Sequence, residues 1–216
     1  MIKGVIFDLD GVLVSTDHYH YRSWVQLCVD EGFTFFDHEF NHKFRGVGRM
    51  QCVDILLDAA GKNHYTKEQR QEIADRKNRY FVESLESVTP GSLLPGSRKM
   101  LEALRQHGIK IAIASNSRNA KPIIERTEIG HLLDAVVDGF DIENSKPDPE
   151  VFLQAAERLG LSPKECIVVE DAVAGILAAE RAGIRSLGIG THEILPNATT
   201  LVKDLSEINV EELLRL

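Results

Sequence analysis

The stretch Ile2-Lys3-Gly4-Val5-Ile6-Phe7, running into Asp8-Leu9-Asp10-Gly11, decides how this chain folds. Residues 2–7 form a short apolar, β-branched run of the kind that makes a strand buried on both faces. The run stops at an acidic turn. Two carboxylates spaced two apart at a strand end project to one side, about 6.5 to 7 Å from each other along the chain. In an open α/β sheet, ligands bind outside the carboxyl ends of the strands, which is where Asp8 and Asp10 fall.

Working outward, similar apolar runs recur at residues 109–114, 135–137, 166–169 and 186–189. Between them lie helical patterns at 97–107, 150–159 and 172–182, each stopped by a glycine: Gly108, Gly160 and Gly183. The alternation predicts an α/β unit, a Rossmann-like parallel sheet with helices on both faces. Residues 17–87 break it. No strand run occurs there, and helical periodicity prevails over 18–30, 49–60 and 67–85. A helical cap, residues 16–87, is therefore expected as an insert after the first strand of a core made of 1–15 and 88–216. Thr89-Pro90-Gly91 and Pro95-Gly96 mark the return to that core.

Composition narrows the function. The 216 residues are 43% hydrophobic and carry a net charge of −8. A nucleic-acid partner is disfavoured, because backbone phosphates call for a basic stripe. No run is apolar enough for a signal peptide or a membrane span, so a cytoplasmic protein is expected. Cys28, Cys52 and Cys166 form no CxxC pair, and their odd number argues against a disulfide framework. Asn197-Ala198-Thr199 matches a glycosylation acceptor but reads as loop. His38-Glu39-Phe40-Asn41-His42 matches a zinc-protease pattern, yet it lies in the helical insert without a third ligand or supporting sheet, and Glu39 reads as a solvated residue.

Three further segments bear on the acidic turn. Ile167-Val168-Val169-Glu170-Asp171 brings adjacent carboxylates to the same sheet edge, and carboxylate oxygens select a hard cation such as magnesium. Asp171 alone also reads as a helix N-cap. Ser115-Asn116-Ser117-Arg118-Asn119 follows a strand with hydroxyl, amide and guanidinium donors suited to a phosphate, or with an ordinary Ser/Asn turn. Ser145-Lys146-Pro147 adds a cation able to offset charge between carboxylates and a phosphoryl group, although a lone lysine is usually on the surface.

These four segments, in this order, resemble the haloacid dehalogenase superfamily, whose motifs are an Asp-x-Asp loop, a Ser/Thr, a Lys and an acidic pair. The resemblance implies that Asp8 is a nucleophile forming an aspartyl phosphate and that Asp10 is the general acid/base. It implies Mg²⁺ held by Asp8, the Asp10 backbone carbonyl, Glu170 and Asp171, with Ser115 and Lys146 orienting phosphoryl oxygens. Within the insert, the segments 15–20, Trp24, 44–49 and 76–78 are similar to the cap of the β-phosphoglucomutase family. That likeness implies interconversion of β-D-glucose 1-phosphate and D-glucose 6-phosphate through β-D-glucose 1,6-bisphosphate. Arg49, with Gly46, Val47 and Gly48 before it, would grip the phosphate that is not reacting, and Asn116, Ser117, Arg118 and Asn119 would complete its site. His20 would gate Asp10, Thr16 would lie at the hinge, and Trp24 and Lys77 would line the sugar pocket. Trp24 and His20, four apart, also fit the packed face of a helix, and Arg49 a solvated helix start. Gly48 stands where that family has a hydroxyl residue, and Arg118 where it has lysine. The expected partners are small sugar phosphates bound by a monomer; the rival is a sugar- or polyol-phosphate phosphatase whose cap admits water.

Overall fold

The computed structural model describes residues 1–44, 47–195, 198 and 200–216. Gly46, Asn197 and Thr199, singled out above, lie outside them. The chain divides into two compact units, Met1–Ser15 with Val88–Leu216, and Thr16–Ser87.

In chain order the elements are β1 (Gly4–Phe7), α1 (Asp17–Glu31), α2 (His38–Asn41), α3 (Arg49–Ala59), α4 (Lys67–Ser84), α5 (Ser97–Gln106), β2 (Lys110–Ala114), α6 (Ala120–Arg126), β3 (Ala135–Val137), α7 (Glu150–Leu159), β4 (Cys166–Glu170), α8 (Val173–Arg181), β5 (Arg185–Ile189), β6 (Leu201–Val202) and α9 (Val210–Leu213).

The larger unit is a parallel sheet in the order β3-β2-β1-β4-β5-β6. Every residue of β1 and β4 is buried, as strands covered on both faces require. Alternation sorts their side chains. Ile6, Ala112, Ala114 and Val168 share a cluster with Val151, Phe152 and Ala155 of α7 and Ala178 and Ala179 of α8. The opposite parity, Val5, Phe7, Ile111, Ile113, Ile167 and Val169, is equally buried, and α5 packs against β2. A strand order that reverses between β1 and β4 leaves a crevice beyond their carboxyl ends, since the connections leave in opposite directions there. The terminal strand β6 is only two residues long and had no apolar run to announce it.

The smaller unit is helical. Leu27 and Cys28 of α1, Val53, Leu56 and Leu57 of α3, and Ile73 and Ala74 of α4 bury one another with Trp24 and Phe44. The start of α4 is set by a capping box: Thr66 Oγ1 accepts the Gln69 N–H at 3.3 Å and Gln69 Oε1 accepts the Thr66 N–H at 2.9 Å. Helix α1 ends at Gly32, whose φ of 71° is a left-handed conformation that glycine adopts without strain. Among the described residues, no helix is long and apolar enough to cross a membrane.

Candidate active site

Strand β1 ends at Phe7, and the next residue, Asp8, is tied to the neighbouring strand by its N–H to the Val169 carbonyl at 2.9 Å. The chain then turns tightly, with Gly11 N–H donating to Val14 O at 2.8 Å. Gly11 has a φ of 83°, and a Cβ there would fall 2.0 Å from Asp171 Oδ2. Only glycine lets the Asp8 turn and the β4 turn come this close.

At the end of β4, Glu170 is 1% exposed. It is cradled by a second glycine, since a Cβ on Gly175 of α8 would fall 2.1 Å from its Cδ. Asp8, Glu170 and Asp171 each offer an oxygen within 4.8 Å of the others, among the described residues the group arranged to hold a metal ion. Three carboxylates this close repel unless cations sit among them. One cation is Lys146, whose Nζ donates to Asp8 Oδ1 at 2.5 Å, Ala114 O at 3.1 Å and Glu170 Oε2 at 3.2 Å. One ammonium leaves an excess of negative charge over these oxygen donors, which fits a hard divalent ion. His38, Glu39 and His42, by contrast, are exposed and belong to no such group among the described residues.

The electrostatics follow from burial. Burial works against the charge on Lys146, but Asp8 and Glu170 outweigh it and hold its pKa above the ordinary lysine value. For Glu170, burial first and the charge of Asp8 second push the carboxyl well above its usual range, with Lys146 opposing them.

The loop after β2 is shaped by its own hydroxyls. Ser115 Oγ accepts the Ser117 N–H and Ser117 Oγ accepts the Asn119 N–H, both at 3.1 Å. Asn116 Oδ1 accepts the Lys146 N–H at 3.2 Å, linking this loop to the lysine loop. Asn116 Nδ2 is buried without a partner among the described residues, and an unpaired buried donor costs about 1–3 kcal/mol. A ligand oxygen would satisfy it. The lysine loop is also fastened from behind by Arg181 of α8, which donates to Pro147 O at 2.8 Å.

In the helical unit, Lys77 Nζ lies 2.7 Å from His20 Nδ1 and stands over the rings of Trp24 and Phe81 at 5.1 and 4.8 Å. His20 stacks on Phe81 at 4.0 Å. A lysine ammonium can only donate, so Nδ1 accepts and the neutral ring carries its proton on Nε2. Burial, then the charges of Lys77 and Arg49, hold the His20 pKa well below the ordinary imidazole value. Trp24 is 3% exposed and packs on Phe44 at 4.8 Å, the packed-face arrangement its spacing from His20 allowed. Thr16 is fully buried ahead of α1, and Arg49, preceded by Val47 and Gly48, opens α3.

Gly175 and Arg181 were absent from the sequence reading. Of these, Gly175 had a visible signal, a glycine inside an otherwise helical run.

The sequence pattern of the haloacid dehalogenase-like hydrolases matches residues 2–183. The chain is 37% identical to the β-phosphoglucomutase of Bacillus subtilis over 97% of its own length and 93% of that protein's. It is 29% identical to a phosphorylated carbohydrates phosphatase of Thermotoga maritima over 97% of this chain and 98% of that one. The crystal structure of β-phosphoglucomutase from Clostridium difficile superposes with a TM-score of 0.94 at 34% identity, covering 100% of this chain and 96% of that chain.

Proposed function

We propose that this chain, which belongs to the haloacid dehalogenase-like hydrolase family, is a β-phosphoglucomutase. It interconverts β-D-glucose 1-phosphate and D-glucose 6-phosphate through β-D-glucose 1,6-bisphosphate. The observation that carries this reading is that, over the same 97% of the chain and so through both units, identity to the Bacillus subtilis mutase is 37% against 29% to the Thermotoga phosphatase.

In this reading an Asp8 oxygen attacks phosphorus, the bond from phosphorus to the sugar oxygen breaks, and Asp10 gives its proton to that oxygen. With the 1-phosphate of the bisphosphate as the group attacked, this step leaves D-glucose 6-phosphate; the aspartyl phosphate then passes its phosphoryl group to the 6-hydroxyl of a β-D-glucose 1-phosphate, which regenerates the bisphosphate, with Asp10 taking the proton. Asp8, Glu170, Asp171 and the Asp10 backbone carbonyl would hold Mg²⁺, which supplies positive charge to the phosphoryl oxygens. Lys146, already 2.5 Å from Asp8, and Ser115 orient those oxygens. Asn116, Ser117, Arg118, Asn119 and Arg49 take the phosphate that is not reacting, a dianion that guanidinium groups grip at two points. His20, Thr16, Trp24, Lys77, Val47 and Gly48 serve sugar binding and the exclusion of water.

The Thermotoga relative supports a second reading, hydrolysis of sugar phosphates by the same Asp8 chemistry. The two separate in one experiment. With magnesium and a trace of the bisphosphate, we expect glucose 6-phosphate to form from β-glucose 1-phosphate in large excess over free phosphate. Dominant release of phosphate would make the chain a phosphatase.

A further inference from the structure

Arg118, the guanidinium of the phosphate loop, does not stand alone. Its Cζ lies over the ring of Phe140 at 5.3 Å from the centroid, within the range where a cation is attracted to an aromatic face. Its Nε donates to the carbonyl of Gly139 at 3.2 Å. Among the described residues its two terminal nitrogens make no hydrogen bond or ion pair. One face and one edge are thus held while the outer edge stays available to a ligand.

The platform beneath it is itself fastened. Phe140 N–H donates to the fully buried Asp138 at Oδ1, 2.9 Å, and Lys121 pairs with Oδ2 at 3.1 Å. Asp138 N–H donates to Asp141 Oδ2 at 2.9 Å, and Arg158 pairs with Asp141 at 2.7 Å. Gly139 N–H donates to Ser117 O at 3.2 Å. Position 139 admits no side chain, because a Cβ would lie 2.4 Å from Asn116 O and 3.0 Å from Arg118 Cγ. The loop after β3 is therefore pressed against the phosphate loop at Gly139 and Phe140, and the Phe140 ring, 71% exposed, contributes its face to Arg118 rather than to the core.

We infer that Phe140 is a positioning residue: with the Gly139 carbonyl, its ring holds the Arg118 guanidinium edge-out for the phosphate of the sugar ligand that is not being transferred. The inference rests on the phosphate role given to Arg118 above. It ties the identity of residue 118 to that of residue 140, because a planar guanidinium stacks on a ring and presents two N–H donors from its edge, whereas an ammonium is a point charge on a flexible stem.

The test is a cycle of wild type, Phe140→Ala, Arg118→Ala and the double variant, with Phe140→Tyr as the rescue. An exposed stacking of this kind corresponds to a change of about two- to fivefold. We expect Phe140→Ala to raise the KM for β-glucose 1-phosphate by that factor with kcat held within about twofold, Phe140→Tyr to restore it, and Phe140→Ala to add nothing in the Arg118→Ala background. Calorimetric titration of the same proteins with glucose 1,6-bisphosphate in chelator, which withholds magnesium from the transfer step, reads the pairing without turnover. If the wild type binds the bisphosphate but is no mutase, the same pattern in affinity upholds Phe140 while the proposed reaction falls. Unchanged binding in Phe140→Ala, an equal loss in the Arg118→Ala background, or no bisphosphate binding by the wild type overturns the inference.

Discussion

Each of the two units buries a lysine almost completely, each over an aromatic ring but with different polar partners. Lys146 of the sheet unit is 5% exposed and Lys77 of the helical unit 3%. Lys146 sits between two carboxylates, Asp8 and Glu170. Lys77 sits against a neutral imidazole and two aromatic faces. Removing a cation from water is costly in either place. In the sheet unit the cost is offset by charges that would themselves be intolerable without the lysine, so the cluster is interdependent. In the helical unit the lysine faces aromatic quadrupoles and an imidazole lone pair, which stand without the cation. Under the proposed function, interdependent charges suit a centre where a phosphoryl group arrives and leaves.

The largest effect expected on breaking this contrast is that of Asp8→Asn, which removes both the proposed nucleophile and a counter-charge of Lys146. Turnover should fall on the order of 10⁴-fold or more, read as glucose 6-phosphate formation. Next comes the lysine pair itself. Lys146→Met should lower kcat by roughly 10²–10³-fold and, in chelator, cost about 3–5 kcal/mol in urea unfolding, because buried carboxylates lose their partner. Lys77→Met, which leaves the His20 lone pair and the Trp24 and Phe81 rings in place, should stay within about 1 kcal/mol of wild type. Equal losses from the two variants would erase the distinction drawn here.

A smaller effect tests the cradle. Gly175→Ala places a methyl group against Glu170 and should weaken magnesium binding by roughly 10–100-fold, with the loss in the magnesium concentration needed for half-maximal rate. The smallest is a pH effect in the helical unit. The folded pKa of His20 is lowered, so the unfolded chain binds the proton first as pH falls. Its contribution to stability is complete above about pH 6.5 and drains away as pH falls toward the lowered folded value, by at most about 1.4 kcal/mol per unit. Urea midpoints between pH 7.5 and 5 should therefore fall less steeply in His20→Gln than in wild type.

Much of this was legible beforehand because it depends on short-range pattern. The helix at 150–159 and the strand at 135–137 match their observed limits, as apolar period and a stopping glycine are local signals. At other ends the limits move by one or two residues, where a bounding residue is a cap or a bend. The two-residue β6 escaped notice because its pairing partner, β5, supplies the reason it is a strand. Trp24 was divided between pocket and core, and its contact with Phe44 across a loop is tertiary.

The sequence by itself determined the fold class, the helical insert and the acidic turn at Asp8, since alternation of apolar residues, turn chemistry and the order of four motifs are all properties of the chain. Only the tertiary structure decided which groups share an electrostatic environment. That Lys146 bridges Asp8 and Glu170, 138 and 24 residues away in the chain, that Gly11 and Gly175 are glycines because carboxylates occupy the space of their missing side chains, and that Arg118 leans on Phe140 are facts of distance. Charge, exclusion and stacking act through space, and only folding sets those distances.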